Sequence, residues 1–158
     1  MSFQIRSAIS LEAKFLSDLA LRSKAYWGYS SEFMEAFRQE LTYSPQELEK
    51  NQFFVAEIDF LIIGFFALKK VSATVTELEA LFVDPAYINR GYGRKLINFA
   101  ISVAKKSGSE IIIIQGDPHA KNFYLKVGGK FIGERESASI SGRYLPLFTI
   151  RLTQEDRP

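Results

Sequence analysis

The 158-residue sequence contains no cysteine. This absence excludes disulfide bonds, cysteine nucleophiles and thiolate metal sites, and we predict no metal. It fits a reducing compartment, so we expect a cytoplasmic protein. Histidine is almost as scarce: the chain contains a single one, His119. It lies near a predicted helix start, and we expect it at the surface or at the edge of a ligand rather than as a general base.

Long hydrophobic runs and a strong charge bias are also lacking. The longest apolar run, "FLIIGFFAL" from Phe60 to Leu68, is far shorter than the roughly 20 residues that span a bilayer. The opening segment "MSFQIRSAIS" has no apolar stretch typical of a signal peptide. The formal net charge of +2 is too weak to indicate nucleic acid or an anionic membrane. We expect neither as a partner.

The chain does contain the material for a core. Hydrophobic residues make up 47% of it, with 14 phenylalanines, and charged residues make up 24%, which is ordinary for a globular protein. A chain of this size can bury roughly 68–70% of the surface that it exposes when unfolded. No repeat or linker interrupts it, so residues 1–158 are predicted to form one domain.

Helical signals dominate the first third of the chain. Ser10 is predicted to cap a helix in which Leu11, Phe15 and Leu19 share one face, with Leu16 beside them. Two more helix starts follow, at the segments "SSEF" and "SPQE". The second is a capping box with proline at the first helical position.

Strand signals dominate the rest and alternate with two helices, Tyr92–Lys106 and Asp117–Val127. The predicted strands are Phe3–Ile9, Phe53–Glu57, Leu61–Leu68, Thr74–Val83, Glu110–Ile114, Phe131–Gly133 and Leu147–Leu152. The run "IIII" within the fifth of these is apolar on both faces, which indicates a buried central strand. This order predicts a mixed sheet with helices on both faces.

The segment "EALFVDPAYINRGYGRKLINFA" combines a strand end, a basic loop with two glycines and a helix start. A helix N-terminus presents free N–H groups and favours anions, and glycine lets the backbone approach a phosphate closely. The loop is therefore predicted to hold a phosphorylated ligand. A P-loop would need Gly-Lys-Ser/Thr, but Gly93 is followed by Arg94 and Lys95. A dinucleotide-binding fingerprint would need a small residue where Leu96 stands. The loop therefore matches neither motif.

Two motifs carry a resemblance to the GNAT superfamily of N-acetyltransferases. The segment "LFVDPAYINRGYGRKLI" resembles its motif of a strand followed by Gln/Arg-x-x-Gly-x-Gly/Ala opening a helix. The segment "DPHAKNFYLKVGGKFIGE" is similar to its Asn-x-x-Ala-x-x-Phe-Tyr-x-x-x-Gly-Phe motif. The resemblance covers essentially the whole chain. It implies an α/β GNAT fold: a mixed, mostly antiparallel sheet of six to seven strands, helices on both faces, and a splay between two central parallel strands.

The chain departs from the family pattern at three positions. Ile88 stands at the Gln/Arg position, which removes a side-chain contact to pyrophosphate but leaves the backbone loop. Asp117 stands where the family often has asparagine for the pantetheine arm, and Gly129 stands where phenylalanine usually follows glycine. These departures bear on single contacts rather than on the fold.

The resemblance implies acetyl-CoA as co-substrate, bound where the two parallel strands part. The backbone of Leu81 and Val83 is expected to pair with the pantetheine amides, with Phe82 between them. Asn122 is expected either to touch CoA or to be simply exposed. The loop residues expected around the pyrophosphate are Asn89, Arg90, Gly91, Tyr92, Gly93 and Arg94.

Transfer of an acetyl group to an amine involves two proton transfers. An alkylamine has a pKa of about 10.4 and must lose a proton before it attacks, whereas the leaving thiol benefits from gaining one. By the resemblance, Tyr124 is the acid, and Glu79 is the base that orders water. Glu77 is the second candidate for the base, and water alone is the third. Strand alternation is predicted to put Glu77, Glu79, Leu81 and Val83 on one face.

The segment "YWGYSSEF" supplies the predicted acceptor pocket, through Tyr26, Trp27, Tyr29 and Phe33. The chain is therefore predicted to be an N-acetyltransferase that acetylates the primary amine of a small molecule or a peptide by direct attack in a ternary complex. The alternative is a non-catalytic acyl-CoA-binding or sensing module on the same fold. The apolar segment "GRYLPLFTI" offers a strand that could pair with a second copy, so a homodimer is one predicted assembly.

Overall fold

The computed structural model of the protein describes residues 2–152. The strands are β1 (Phe3–Ser7), β2 (Gln52–Ile58), β3 (Leu61–Lys70), β4 (Val75–Val83), β5 (Ile111–Gln115), β6 (Lys130–Glu136) and β7 (Tyr144–Arg151). The helices are α1 (Ala13–Ala25), α2 (Ser31–Glu40), α3 (Pro45–Lys50), α4 (Tyr92–Lys106) and α5 (Lys121–Lys126). Short 3-10 turns occupy Ser10–Glu12, Pro85–Tyr87 and Pro118–Ala120.

All seven strands form one sheet in the order β1-β2-β3-β4-β5-β7-β6. The β4 and β5 strands are parallel and are connected through α4, whereas every other neighbouring pair is antiparallel. The predicted mixed, mostly antiparallel sheet is confirmed. Ile112 and Ile114 of the interior β5 strand are fully or almost fully buried on one face, whereas Ile111 and Ile113 on the other face are half-buried, so the predicted burial is confirmed on one face only.

Helices cover both faces of the sheet, as predicted. On one face, α4 and α5 contribute residues such as Ile97 and Tyr124 to a core that includes Leu78 of β4. On the other face, α1, α2 and α3 pack on β2, β3 and β4, with Leu16 and Phe37 among the buried residues. This two-sided burial explains why so short a chain needs no cross-links.

The buried face of α1 differs from the prediction. Leu11 lies in the preceding 3-10 turn and is 90% exposed, and Phe15 is 41% exposed. Leu16, Leu19 and Ala20 are fully buried instead, at the spacing of one helical face. The prediction is confirmed for Leu19 and its neighbour Leu16 and wrong for Leu11 and Phe15. Leu11 falls outside the helix because the α-helix begins at Ala13 rather than at Ser10.

The β4 strand contains a β-bulge that breaks its alternation. Ala80 pairs with Ala67 and Leu78 pairs with Leu68, so Glu79 has no partner on β3. Leu78 and Leu81 consequently both pack on the α4 face, whereas Ala80 packs on the α1 face. The prediction that Glu77, Glu79, Leu81 and Val83 share one face is therefore wrong, because an inserted residue reverses the side-chain direction beyond it.

The strand considered for dimer formation is an interior strand. β7 is hydrogen-bonded to β5 on one side and to β6 on the other. Over residues 147–149 it has partners on both sides and no free edge for a second copy, so this part of the segment does not offer the predicted route to a homodimer. The outermost strands of the sheet are β1 and β6.

Candidate active site

The sheet opens between its two parallel strands. Pairing of β4 with β5 covers Val75 to Leu78 and stops at the bulge. Beyond it, within the described residues, no strand pairs with β4 on the β5 side. Asp84 donates its N–H to the Ile63 carbonyl oxygen at 2.8 Å, and successive residues direct their backbone groups to opposite sides. The N–H and C=O groups of Leu81 and Val83 therefore face the gap, and the predicted splay is confirmed.

The loop after β4 shapes a backbone concavity at the start of α4. Asn89 and Gly91 adopt left-handed conformations, with φ of 60° and 87°, which asparagine and glycine tolerate best. The first helical hydrogen bond runs from the Lys95 N–H to the Gly91 carbonyl oxygen at 3.2 Å. The preceding N–H groups of the helix are left for an external acceptor. Such an arrangement attracts anions.

Neighbouring aromatic rings fix this loop. A Cβ atom added to Gly93 would lie 3.1 Å from the ring of Phe123, so α5 packs directly against the first turn of α4. The Arg90 guanidinium lies 5.5 Å from the centre of the Tyr87 ring. Phe123 therefore supports the loop through packing.

A cavity of about 900 Å³ follows the gap between β4 and β5 and reaches the helices on the α1 face. This volume is typical of a ligand site. The predicted site residues that line it are Tyr26, Trp27, Glu79, Leu81, Phe82, Val83, Asn89, Gly91, Tyr92, Gly93, Arg94, Asp117 and Tyr124. The predicted residues outside the lining are Tyr29, Phe33, Arg90 and Asn122.

Tyr124 lies at the wall of the cavity and is 6% exposed. Its ring contacts Phe123 and Phe148, with ring centres 5.2 and 5.5 Å away. Within residues 2–152, its hydroxyl has no hydrogen-bond partner. Burial, with a contribution from the negative charge of Asp117, raises the pKa of Tyr124 well above its ordinary value. The hydroxyl therefore keeps its proton at neutral pH.

The two candidate bases are in different environments. Glu77 forms an ion pair with Arg135, with Oε2 and Nη1 3.2 Å apart. Glu79, the bulge residue, has no cationic partner within 2–152. Burial raises the pKa of Glu79; Lys69 opposes the shift, and Glu77 and Glu47 add to it. Of the two carboxylates, Glu79 is the one left available to accept a proton.

Asp117 organises a polar network at the other wall of the cavity. Its Oδ2 atom accepts hydrogen bonds from Lys24 Nζ and the Tyr29 hydroxyl, both at 2.7 Å. Its Oδ1 atom accepts the His119 N–H at 2.8 Å and lies 2.9 Å from His119 Nδ1. Burial alone would raise the pKa of Asp117, but Lys24 and these hydrogen bonds lower it to about 2. Both oxygens are thus already engaged.

Aromatic residues from the bend between α1 and α2 surround this network. The Trp27 ring stacks on His119 at 4.8 Å, and Tyr29 stacks on Phe33 at 5.9 Å. Burial and the bond to Asp117 raise the pKa of Tyr29 to about 12, against an opposing effect of Arg143. Tyr26 and Trp27 therefore face the cavity, whereas Tyr29 and Phe33 support it from behind.

Lys24, Arg135 and Arg143 are among the cavity residues that sequence reasoning missed. They come from α1, β6 and the connection between β6 and β7, which no motif joins. No local signal could have singled them out. Among residues 2–152, no group of three potential metal ligands lies together. Over the same range, no helix has the length and apolar character needed to cross a bilayer.

The chain is similar to known proteins in both sequence and structure. A model of the acetyltransferase (GNAT) family matches residues 19–129. An uncharacterized N-acetyltransferase of Methanocaldococcus jannaschii is 32% identical over 121 residues, which cover 70% of this chain and 54% of the relative. The chain thus spans about half the length of that relative. A "5-NmdU N-acetyltransferase" of Pseudomonas phage PaMx11 is 28% identical over 145 residues, covering 91% of this chain and 96% of the relative.

The fold is also found in solved structures. The PaiA N-acetyltransferase from Thermoplasma acidophilum, solved in complex with coenzyme A, superposes with a TM-score of 0.80. The match covers 96% of this chain and 99% of that one, at 24% sequence identity. At this identity, the likeness shows the fold.

Proposed function

The chain belongs to the acetyltransferase (GNAT) family, and from this premise we propose that it transfers the acetyl group of acetyl-CoA to the primary amine of a small molecule or peptide. The observation that carries the proposal is one cavity. It brings together unpaired backbone of β4, the glycine loop that opens α4, and the hydroxyl of Tyr124 at the cavity wall. A strand gap, an anion site and a proton donor are the parts that this reaction needs.

Coenzyme A fits the phosphate and amide groups available in the cavity. The N–H groups that begin α4, behind Gly91 and Gly93, suit the pyrophosphate, and Arg94 adds positive charge beside them. The unpaired backbone of Leu81 and Val83 suits the amides of the pantetheine arm. Ile88 lines the cavity without offering a charge, so the backbone and Arg94 carry the phosphate contacts in this proposal.

Acetyl-CoA supplies an activated acyl group as a thioester. The amine nitrogen bonds to the acetyl carbon, the carbon–sulfur bond breaks, and CoA leaves as a thiol, all within one ternary complex. Tyr124 donates the proton that the sulfur needs, because its raised pKa keeps the hydroxyl protonated and its position at the cavity wall leaves the oxygen accessible.

Glu79 accepts the proton of the amine, directly or through water. Its raised pKa brings the carboxylate closer to neutral pH, where a general base is most effective. Glu77 is the weaker candidate because it is held by Arg135. The bulge supports this assignment, since it frees Glu79 from the ladder between β3 and β4 at the point where the gap begins.

Calorimetric titration with acetyl-CoA, with ATP as the control ligand, tests the cofactor assignment. Gly91→Val is expected to weaken binding roughly 10-fold or more, because it strains a left-handed residue and places a side chain where the phosphate would lie. Gly108→Val is the matched control. Gly108 has a φ of 89° and equally open surroundings at the other end of α4, so it should cost similar stability and leave binding unchanged.

The same protein is then mixed with acetyl-CoA and a panel of primary amines, and thiol release is measured. Amine-dependent release supports the transferase. Acetyl-CoA binding without release for any amine supports the alternative, a non-catalytic acyl-CoA-binding module. A folded protein that does not bind acetyl-CoA contradicts both.

A further inference from the structure

Arg143 is a cation that lines the cavity without a carboxylate partner. The neighbouring cations are neutralised: Lys24 pairs with Asp117 at 2.7 Å, and Arg135 pairs with Glu77 at 3.2 Å. Within residues 2–152, Arg143 forms no ion pair. A partly buried guanidinium in this position carries positive charge that is available to a ligand.

Aromatic rings and one hydrogen bond hold the Arg143 side chain. The guanidinium carbon lies 5.1, 5.3 and 5.5 Å from the ring centres of Tyr29, Phe33 and Phe37. Its Nη2 atom donates to the Tyr29 hydroxyl at 2.8 Å, and that hydroxyl donates to Asp117. A guanidinium has five N–H donors, so this contact leaves most of them for a ligand.

The backbone that carries Arg143 is fixed by its own hydrogen bonds. The Ser137 N–H donates to the Arg143 carbonyl oxygen at 2.7 Å. The Ser137 hydroxyl accepts from the N–H groups of Ser139 and Ile140 at 3.2 and 3.1 Å. The Gly142 N–H donates to Glu136 Oε2 at 2.8 Å. The residues around Arg143 are therefore preorganised, which reduces the entropy lost when a ligand binds.

The same cavity carries unpaired negative charge on other walls. Glu40, at the end of α2, and Glu79, at the bulge, both line it, and neither forms an ion pair within the described part of the chain. A ligand with one positive and one negative group matches this distribution better than a ligand of one sign.

We propose that the acceptor is a small amino-carboxylate, whose carboxylate binds the Arg143 guanidinium while its amine faces Glu79. This inference rests on the proposed function and narrows its substrate class. Phe33 and Phe37 pack beside the guanidinium, with ring centres 5.3 and 5.5 Å from its carbon, and arginine binds a carboxylate through two parallel hydrogen bonds. Arg143 thus acts as a specificity-determining residue and takes no part in proton transfer.

A ladder of linear ω-amino acids, from glycine to 6-aminohexanoate, tests the proposal against two matched series. One series contains the corresponding amides, and the other contains alkylamines without the carboxylate. The kcat/KM for thiol release is measured for each compound. At the preferred length, the carboxylate is expected to exceed its amide roughly 10- to 100-fold, the range of one charge-assisted pair. Diglycine and triglycine distinguish a free amino acid from a peptide.

Variants assign the preference to Arg143. Arg143→Gln is expected to remove the carboxylate preference, mainly through KM, so that each carboxylate and its matched amide react with the same kcat/KM. Arg143→Lys is expected to restore part of it. Arg38→Gln is the control, because Arg38 lies on α2 as an exposed residue outside the cavity. Equal rates for carboxylates and amides, or a preference that survives in Arg143→Gln, overturn the inference.

A binding experiment separates this inference from the proposed function. The same three series are titrated into the protein saturated with CoA, and affinity is measured by NMR. Tighter binding of the carboxylates, lost in Arg143→Gln, supports the inference even if no amine is acetylated. Tightest binding of the alkylamines overturns it in favour of a cationic acceptor held by Glu40 and Glu79.

Discussion

Replacement of Asp117 by asparagine tests the energetic role of the network between α1 and the loop after β5. The substitution keeps the size of the side chain but leaves one acceptor oxygen where aspartate has two. It removes the negative charge that Lys24 Nζ approaches to 2.7 Å. Lys24 is then left 15% exposed without its partner, which is unfavourable for a charge.

The pKa of Asp117 gives the size of the effect. A drop from the ordinary value of 3.8 to about 2 corresponds to about 2.4 kcal/mol, at about 1.36 kcal/mol for each pKa unit. Residual contact with solvent reduces this to about 2 kcal/mol. Because the folded-state pKa is lowered, the stabilisation is complete above the unfolded pKa. It is lost as the pH falls from about 4 to about 2.

Urea denaturation of both proteins across pH 2 to 7 measures this difference. We expect Asp117→Asn to reduce the free energy of unfolding by about 2 kcal/mol or more at pH 7, and the difference to shrink by about 2 kcal/mol toward pH 2. Asp18→Asn is the control, because its pair with Lys14 is largely exposed, and no measurable change is expected. A difference that stays constant between pH 5 and pH 2 would refute the reasoning.

Three further predictions concern the proposed chemistry and the core. Tyr124→Phe should lower kcat about 100-fold with unchanged acetyl-CoA affinity by calorimetry; an unchanged kcat contradicts its role as acid. Glu79→Gln should abolish the acidic limb of the pH–rate profile. In the parent protein, activity falls as the pH drops through the pKa of Glu79, which is raised above its ordinary value of 4.5. If the limb persists in the variant, another group is the base. Leu16→Ala should cost about 2–5 kcal/mol by urea denaturation, whereas Leu11→Ala at a 90% exposed position should change stability little; similar losses would contradict the buried face of α1.

Elements with strong local signals were predicted closely. The α4 helix spans Tyr92–Lys106 as predicted, because Gly91 fixes its start, a stripe of apolar residues fixes its face, and its end is basic. The capping box at Ser44 and the cap at Ser30 are also present. These features depend on contacts within a few residues, so the sequence contains the information directly.

The candidate site was predicted only in part. The glycine loop and Tyr124 belong to contiguous motifs, and all of the predicted loop residues except Arg90 line the cavity. Lys24 and Arg143 come from segments 119 residues apart, and only folding brings both to Tyr29 and Asp117. Spacing along the chain cannot reveal such pairs.

The sequence by itself determined the order of strands and helices, the glycine loop and the family resemblance, because periodicity, caps and motifs are local. The tertiary structure decided which faces and charges meet. The bulge at Glu79 arises from the pairing of β4 with β3, and it reverses the faces that alternation predicts. Glu79 and Arg143 likewise remain without ion pairs among the described residues because Arg135 pairs with Glu77 and Lys24 pairs with Asp117. These pairings join residues that are far apart in the sequence, so no single segment of the chain can reveal them.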